Sequence, residues 1–231
     1  PKSTLPPERS TITATEVTAG NVGDASAAEA LLKDLLVGTQ NAAPSDAKHD
    51  EAKCEVYGDA SYGTAELVEK LESADVVPNV KVQPPTAREG MFCQDDFEID
   101  SEAGTVRCPA GIRVRLRVQK DGSSIGDFVS NCAECPLRPQ CTNSQSGRTI
   151  KLHPKHKILD RHRKHQRDPE WKKLYRKVRP RVERKLAHMM RRRHGGRRAR
   201  VRGRERVSYD FSLLAASINI ARLASLGVCI A

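Results

Sequence analysis

Between Lys151 and Arg206 the chain carries 24 Lys or Arg against five Asp or Glu in 56 residues. Most of those charges should face water, because unpaired charge resists transfer out of it. The rest of the chain is the reverse, with 24 acidic residues against 16 basic ones. So one-sided a field attracts a polyanion, since Lys and Arg displace the counterions condensed on phosphates. A solvated basic helix is the plainer alternative. A membrane surface suits it less, for the segment lacks a matching stripe of Trp, Phe and Leu.

A chain of 231 residues holds one large domain, or one domain with an insertion. The closing apolar run, Phe211 to Ala231, carries Asn219 and Arg222 near its middle, which a lipid environment would penalise. A soluble protein without a membrane partner is expected. No internal repeat is evident.

Along the chain, alternating β-branched residues from Thr11 to Val17 predict a strand, broken by Gly20, Asn21 and Gly23. Ser26 and Glu29 form a capping-box pattern ahead of a helix with Leu31, Leu32, Leu35 and Leu36 on one face. A polar loop is expected from Gln40 to Glu51. Next comes a strand with Cys54 and Val56 turned inward, ending at Gly58-Asp59. Thr64 then caps a helix that buries Leu67, Val68 and Leu71. Val76 to Val82 returns as a second strand, with Pro78 suggesting an edge. Such strand–helix–strand units build partly parallel α/β sheets.

The texture then changes. Residues 84–152 are broken by Gly, Ser and Pro around short β-like runs such as TVRC and IRVRLRV, which predicts a small β-rich insertion. Residues 1–83 and 153–231 would flank it. In the latter, one helix is expected from Trp171 to Val178. Pro180 would open a second, running to about Arg193 and stopping at Gly195-Gly196. A last helix from Phe211 to Leu226, apolar on most sides, should be buried.

Three groups of residues carry potential chemistry. Asp59 stands at the carboxyl end of a strand, where α/β sheets place working residues. Tyr175, Arg179 and Glu183 are spaced by four and share a helix face, approximately so if Pro180 bends the chain. Glu183 taken alone reads as a salt-bridge partner of Arg179 or Arg184. Arg191, Arg192, Arg193, Arg197, Arg198 and Arg200 read as a grip on nucleic-acid backbone that ignores sequence.

The cysteines form the third group. Seven in a chain with no secretion signal argue for reduced thiols and, where clustered, for metal before disulfide. Cys132-x-x-Cys135 has the spacing of a zinc knuckle, and Cys108 and Cys141 would complete four thiolates around Zn²⁺. Reduced cysteines packed as small hydrophobes are the other reading. Cys54 and Cys229 look like core residues, and Cys93 has no evident partner. His153, His156, His162 and His165 lie among Lys and Arg that would repel a cation, so they read as solvated or phosphate-facing.

The runs GDASYG (Gly58 to Gly63), CPLRPQC (Cys135 to Cys141) and RPRVERKLAHMMRRRHGGRRARVRG (Arg179 to Gly203) together resemble the DDE transposases of bacterial insertion sequences. ITATEVTAGNVGD (Ile12 to Asp24) and LLAASINIARL (Leu213 to Leu223) fit the same family. The resemblance implies an α/β fold of RNase-H-like type, a mixed sheet flanked by helices with a cysteine-containing insertion. It also implies DNA cleavage and joining by carboxylates holding Mg²⁺ or Mn²⁺, on double-stranded DNA at transposon ends, in a homodimer assembled on that DNA. A cytoplasmic, nucleoid-associated bacterial protein would follow.

On this mapping Asp59 is the second acidic ligand and Glu183 the third, with Tyr175 and Arg179 completing the family's Tyr–Arg–Glu helix pattern. Where a downstream Lys is expected, this chain offers Arg191. The family's first catalytic Asp lies on a strand upstream of Thr11 to Val17, and none of the ten residues before that run is Asp. Asp24 reads instead as an N-cap. The chain is therefore expected to lack a complete two-metal site. The rival expectation is a non-catalytic nucleic-acid-binding protein, or a transposase relic that keeps a zinc-knuckle-like insertion.

Overall fold

The computed structural model describes residues 11–38, 53–191 and 194–227. The expected loop at 40–51, together with Arg192, Arg193 and Cys229, lies outside the described residues. In chain order, a 3₁₀ turn (Asp24–Ala27) leads to α1 (Ala28–Leu31), α2 (Lys33–Gly38), β1 (Glu55–Gly58), α3 (Ala65–Ser73) and β2 (Val77–Val80). Then follow β3 (Glu98–Asp100), β4 (Thr105–Arg107), β5 (Arg113–Val118), β6 (Ser124–Asp127), α4 (Arg138–Cys141), β7 (Thr149–Leu152) and α5 (His156–His165). Two long helices close the chain, α6 (Pro169–Met189) and α7 (Arg204–Ser225). The elements divide into one unit of residues 1–81 with 168–231, and another of residues 82–167. The fold is mixed α/β.

In the first unit β1 and β2 pair in parallel, with Gly58 opposite Val80, and α3 makes the crossover. Thr64 caps α3 as expected, its hydroxyl accepting from the Leu67 amide at 3.3 Å. Leu67 and Leu71 are buried with Ala28 and Val76, and Leu32, Leu36 and Val56 pack against them. Each such leucine stabilises the unit by about 1.5–3 kcal/mol.

Several expectations are corrected here. Thr11 to Val17 forms no strand. The segment is instead pinned to α7, where Asn219 accepts from the Ile12 amide at 2.8 Å and donates to its carbonyl at 2.7 Å. An alternating sequence becomes a strand only when another strand takes up its backbone groups, and here a side-chain amide does so. Ser26 makes no capping box. It sits inside the 3₁₀ turn with its hydroxyl donating to Gly23, and Glu29 reaches Lys70 instead. The turn is capped by Gly23 rather than Asp24, which makes no cap bond. Cys54 is exposed rather than core.

The long helices also differ from expectation. Asp168 caps α6 by accepting from the amides of Glu170 and Trp171, and Pro169 occupies the first turn. The helix then runs through Pro180 without ending and stops at Met189. Only one internal hydrogen bond is forfeited at a proline, and tertiary contacts on both sides of Pro180 outweigh it. Gly196 packs where any Cβ would meet the Met189 carbonyl at 2.4 Å. The last helix begins earlier than expected, at Arg204, and is not buried all round. Leu214, Ala215 and Ile218 face inward with Met189, while Tyr209, Leu213 and Ile220 are exposed.

In the second unit the strands form a five-stranded antiparallel meander, β3-β4-β5-β6-β7. Along β5, Val114 and Leu116 turn inward while Arg113, Arg115 and Arg117 point to solvent, the alternation that a half-buried strand requires. Phe97, Val106, Phe128, Ile150 and Leu152 form the core together with Cys132 and Cys141. Helix α5 belongs to this unit. Its His156 and His162 are buried, which corrects the solvated reading; His153 and His165 remain exposed. The buried Arg163 is countered by Asp95 at 3.6 Å and Asp160 at 4.0 Å, and Asp95 also pairs with Arg167.

Candidate active site

The first unit assembles its polar site along one stripe of α6. Trp171, Tyr175, Arg179 and Glu183 recur every four residues, so an unbroken helix presents them one above another. Trp171, the only Trp of the chain, is buried and donates its indole N–H to the Asn79 side chain on β2 at 3.0 Å. Its ring stacks on Tyr175 with centroids 4.8 Å apart. The Tyr175 hydroxyl donates to the Gly58 carbonyl at 2.8 Å, at the carboxyl end of β1. Lys81 Nζ lies 5.1 Å from the Tyr175 ring centroid. Burial pushes the Tyr175 phenol up from its ordinary value, so it stays a donor at neutral pH.

These anchors set the height of Arg179. Its Nη2 stands 3.4 Å from Asp59 Oδ2 and 3.6 Å from Glu183 Oε1. The structure thus brings Asp59, Arg179 and Glu183 together, and the salt-bridge partner of Glu183 is Arg179. The other carboxylate oxygen of Asp59 accepts from the Ser61 amide at 2.9 Å, in the tight turn after β1. Gly58 sits close beside it, where a Cβ would press on Val80 Cγ1 at 3.0 Å. Tyr62 follows in the turn. Burial raises its phenol, and the nearby charges of Asp24 and Asp59 add to that.

One guanidinium nitrogen between two carboxylates marks a place where positive charge is held. Carboxylate oxygens are hard donors of the kind Mg²⁺ and Mn²⁺ prefer, and both are partly open to solvent, so the residues present fit a divalent cation. Among the described residues no group of three His, Cys, Asp or Glu side chains stands ready to hold a metal ion. Asp59 and Glu183 are therefore two donors without a third.

Farther along, Arg191, Arg197 and Arg198 line an open cavity of about 700 Å³ together with Ala187, Met190 and Gly195. All three arginines are exposed, as is Arg184 on α6. Arg200 is exposed as well. It is held in a two-point pair with Asp210, its Nε 3.2 Å from Oδ2 and its Nη2 2.6 Å from Oδ1. In the second unit Cys108, Cys132, Cys135 and Cys141 line a common cavity.

Sequence reasoning missed the contacts of Asn79 and Trp171. A polar residue in the otherwise apolar run VVPNV was the available signal, since a buried amide needs a partner.

A family model described as a transposase DDE domain matches residues 107–224, just over half of the chain. The chain belongs to this transposase family. The matched range of this transposase contains Tyr175, Arg179, Glu183 and the four clustered cysteines; Asp59 precedes it. No curated protein and no solved structure matches. Among the described residues no helix is long and apolar enough to cross a membrane.

Proposed function

We propose that Asp59 and Glu183 are two acidic metal ligands of a DNA-cleaving and DNA-joining centre, in an RNase-H-like setting like that of bacterial insertion-sequence transposases. The observation that carries this reading is the sharing of Arg179 Nη2 by both carboxylates. Asp59 and Glu183 would hold Mg²⁺ or Mn²⁺, which would supply activation of a water or 3′-hydroxyl and stabilisation of the leaving oxygen in an in-line displacement. The Ser61 amide holds the Asp59 carboxylate in position, and Tyr175 fixes the end of β1 to α6. With a cation held there, Arg179 would be free to bind a phosphate oxygen. Arg184, Arg191, Arg197 and Arg198 bind backbone phosphates of double-stranded DNA, the transposon ends, which two copies of the chain bring together.

A second reading, a DNA-binding protein without catalysis, is favoured by one fact: Arg179 already pairs with both carboxylates. Affinity cleavage separates the two. Fe²⁺ with ascorbate substitutes for Mg²⁺ and generates radicals that cut the backbone beside the metal. Cuts near both Gly58-Asp59 and Glu183, suppressed by excess Mg²⁺ and by Asp59→Asn or Glu183→Gln, are expected. An uncut chain that still binds DNA would leave only the second reading.

A further inference from the structure

We propose that Cys108, Cys132, Cys135 and Cys141 form a structural Zn²⁺ site that staples the five-stranded unit. This goes beyond the DNA chemistry above and does not depend on it.

Three separate stretches contribute. Cys108 opens the β4–β5 connection, Cys132 and Cys135 follow β6, and Cys141 ends α4. All four line one largely enclosed cavity of about 20 Å³, with Phe92, Ile112, Phe128 and Leu137 among the apolar side chains around them. That space is close to the size of a single small occupant. The six described cysteines are all free thiols, so no disulfide competes for them.

The backbone around the thiols is shaped as metal-binding turns are. Cys135 donates its amide to the Cys132 carbonyl at 3.4 Å, closing the C-x-x-C turn. At Cys108 the Gly111 amide bonds back at 2.8 Å, and the Cys108 amide donates to Ile112 at 2.9 Å. Gly111 has φ +87, which that tight turn needs. Cys132 Sγ already accepts from the Arg148 amide at 3.4 Å. Gly147 lies so close that a Cβ would meet Cys132 Sγ at 3.3 Å.

Charge fits as well. Zn²⁺ with four thiolates carries a net negative charge, and Arg148 lines the same cavity with its Nε buried and unpartnered. Its Nη1 donates to the Cys141 carbonyl at 3.3 Å and its Nη2 to the Phe92 carbonyl at 3.4 Å, which holds the positive charge beside the thiols.

As placed, the four thiols surround the cavity without forming a ready ligand set. Tetrahedral coordination, with sulfur about 2.3 Å from zinc, requires the side chains to turn inward as their four protons leave to solvent.

The test uses the whole chain, purified from zinc-supplemented medium. Elemental analysis is expected to find one zinc per chain, and chelator to lower the melting temperature. Cys108→Ser, and the double change Cys132→Ser with Cys135→Ser, should lose the metal; Cys54→Ser, at an exposed position outside the cluster, should retain it. Replacement of zinc by Co²⁺ should give the intense charge-transfer and ligand-field bands of tetrahedral thiolate. This spectrum on the unmodified chain decides the matter even if the serine variants fail to fold. A chain that takes up neither metal, or variants that keep theirs, would overturn the proposal whatever the outcome at Asp59 and Glu183.

Discussion

The hydroxyl of Tyr175 donates to the carbonyl of Gly58 across 117 positions of the chain, and both groups are buried. This bond ties the long basic helix to the strand end that carries Asp59. Tyr175→Phe leaves the carbonyl without its donor and should cost about 1–3 kcal/mol. Denaturant titration measures that loss. An unchanged midpoint would show that water or a backbone shift replaces the phenol.

Arg197 and Arg198 are exposed, whereas Arg200 is engaged by Asp210. Replacing Arg197 or Arg198 by Ala should weaken DNA binding equally for all sequences and flatten the log K against log salt slope by about 0.9 each. Arg200→Ala should leave that slope unchanged. Fluorescence anisotropy over a salt series checks both statements.

In the second unit, Gly126 on β6 faces the completely buried Val106. A Cβ at position 126 would lie 2.3 Å from Val106 Cγ1, with no room to move. Gly126→Ala should therefore destabilise that unit by about 1–3 kcal/mol. Gly20→Ala, with nothing within 4 Å of where its Cβ would stand, is the matched control and should be near neutral.

His156 gives the same unit a dependence on pH. Burial lowers its pKa, and the neighbouring Arg163 and Lys164 push it the same way against Asp160 and Asp95. The folded chain thus holds fewer protons than the unfolded one just below the ordinary histidine value of about 6.5. Stability is full above that value and falls as pH drops from it towards the lowered folded pKa. Urea midpoints of the unmodified chain should decline through this window, and His156→Gln should flatten the decline. Equal slopes in the two proteins would assign the effect elsewhere.

Much of the local architecture was legible in residue order. Thr64 announced its helix, Leu67, Val68 and Leu71 marked the inner face, and the alternation in β5 separated arginine from valine and leucine. Each of these depends on hydrogen bonds and side-chain directions set within a few residues. The Thr11 to Val17 run shows where such reasoning stops: its pattern suits a strand, but pairing needs a neighbour, and Asn219 was the group that met it.

By itself, the sequence determined that a dense positive surface must exist, that Asp59 ends a strand, and that Tyr175, Arg179 and Glu183 lie at helical spacing. Tertiary structure alone decided that Arg179 reaches Asp59 from 120 positions away, that α6 continues through Pro180, and that His156 and His162 go inward. The physical reason is range. Turns, caps and periodicity are fixed by near neighbours, whereas the partner of a buried charge is chosen by whichever distant segment folding brings against it.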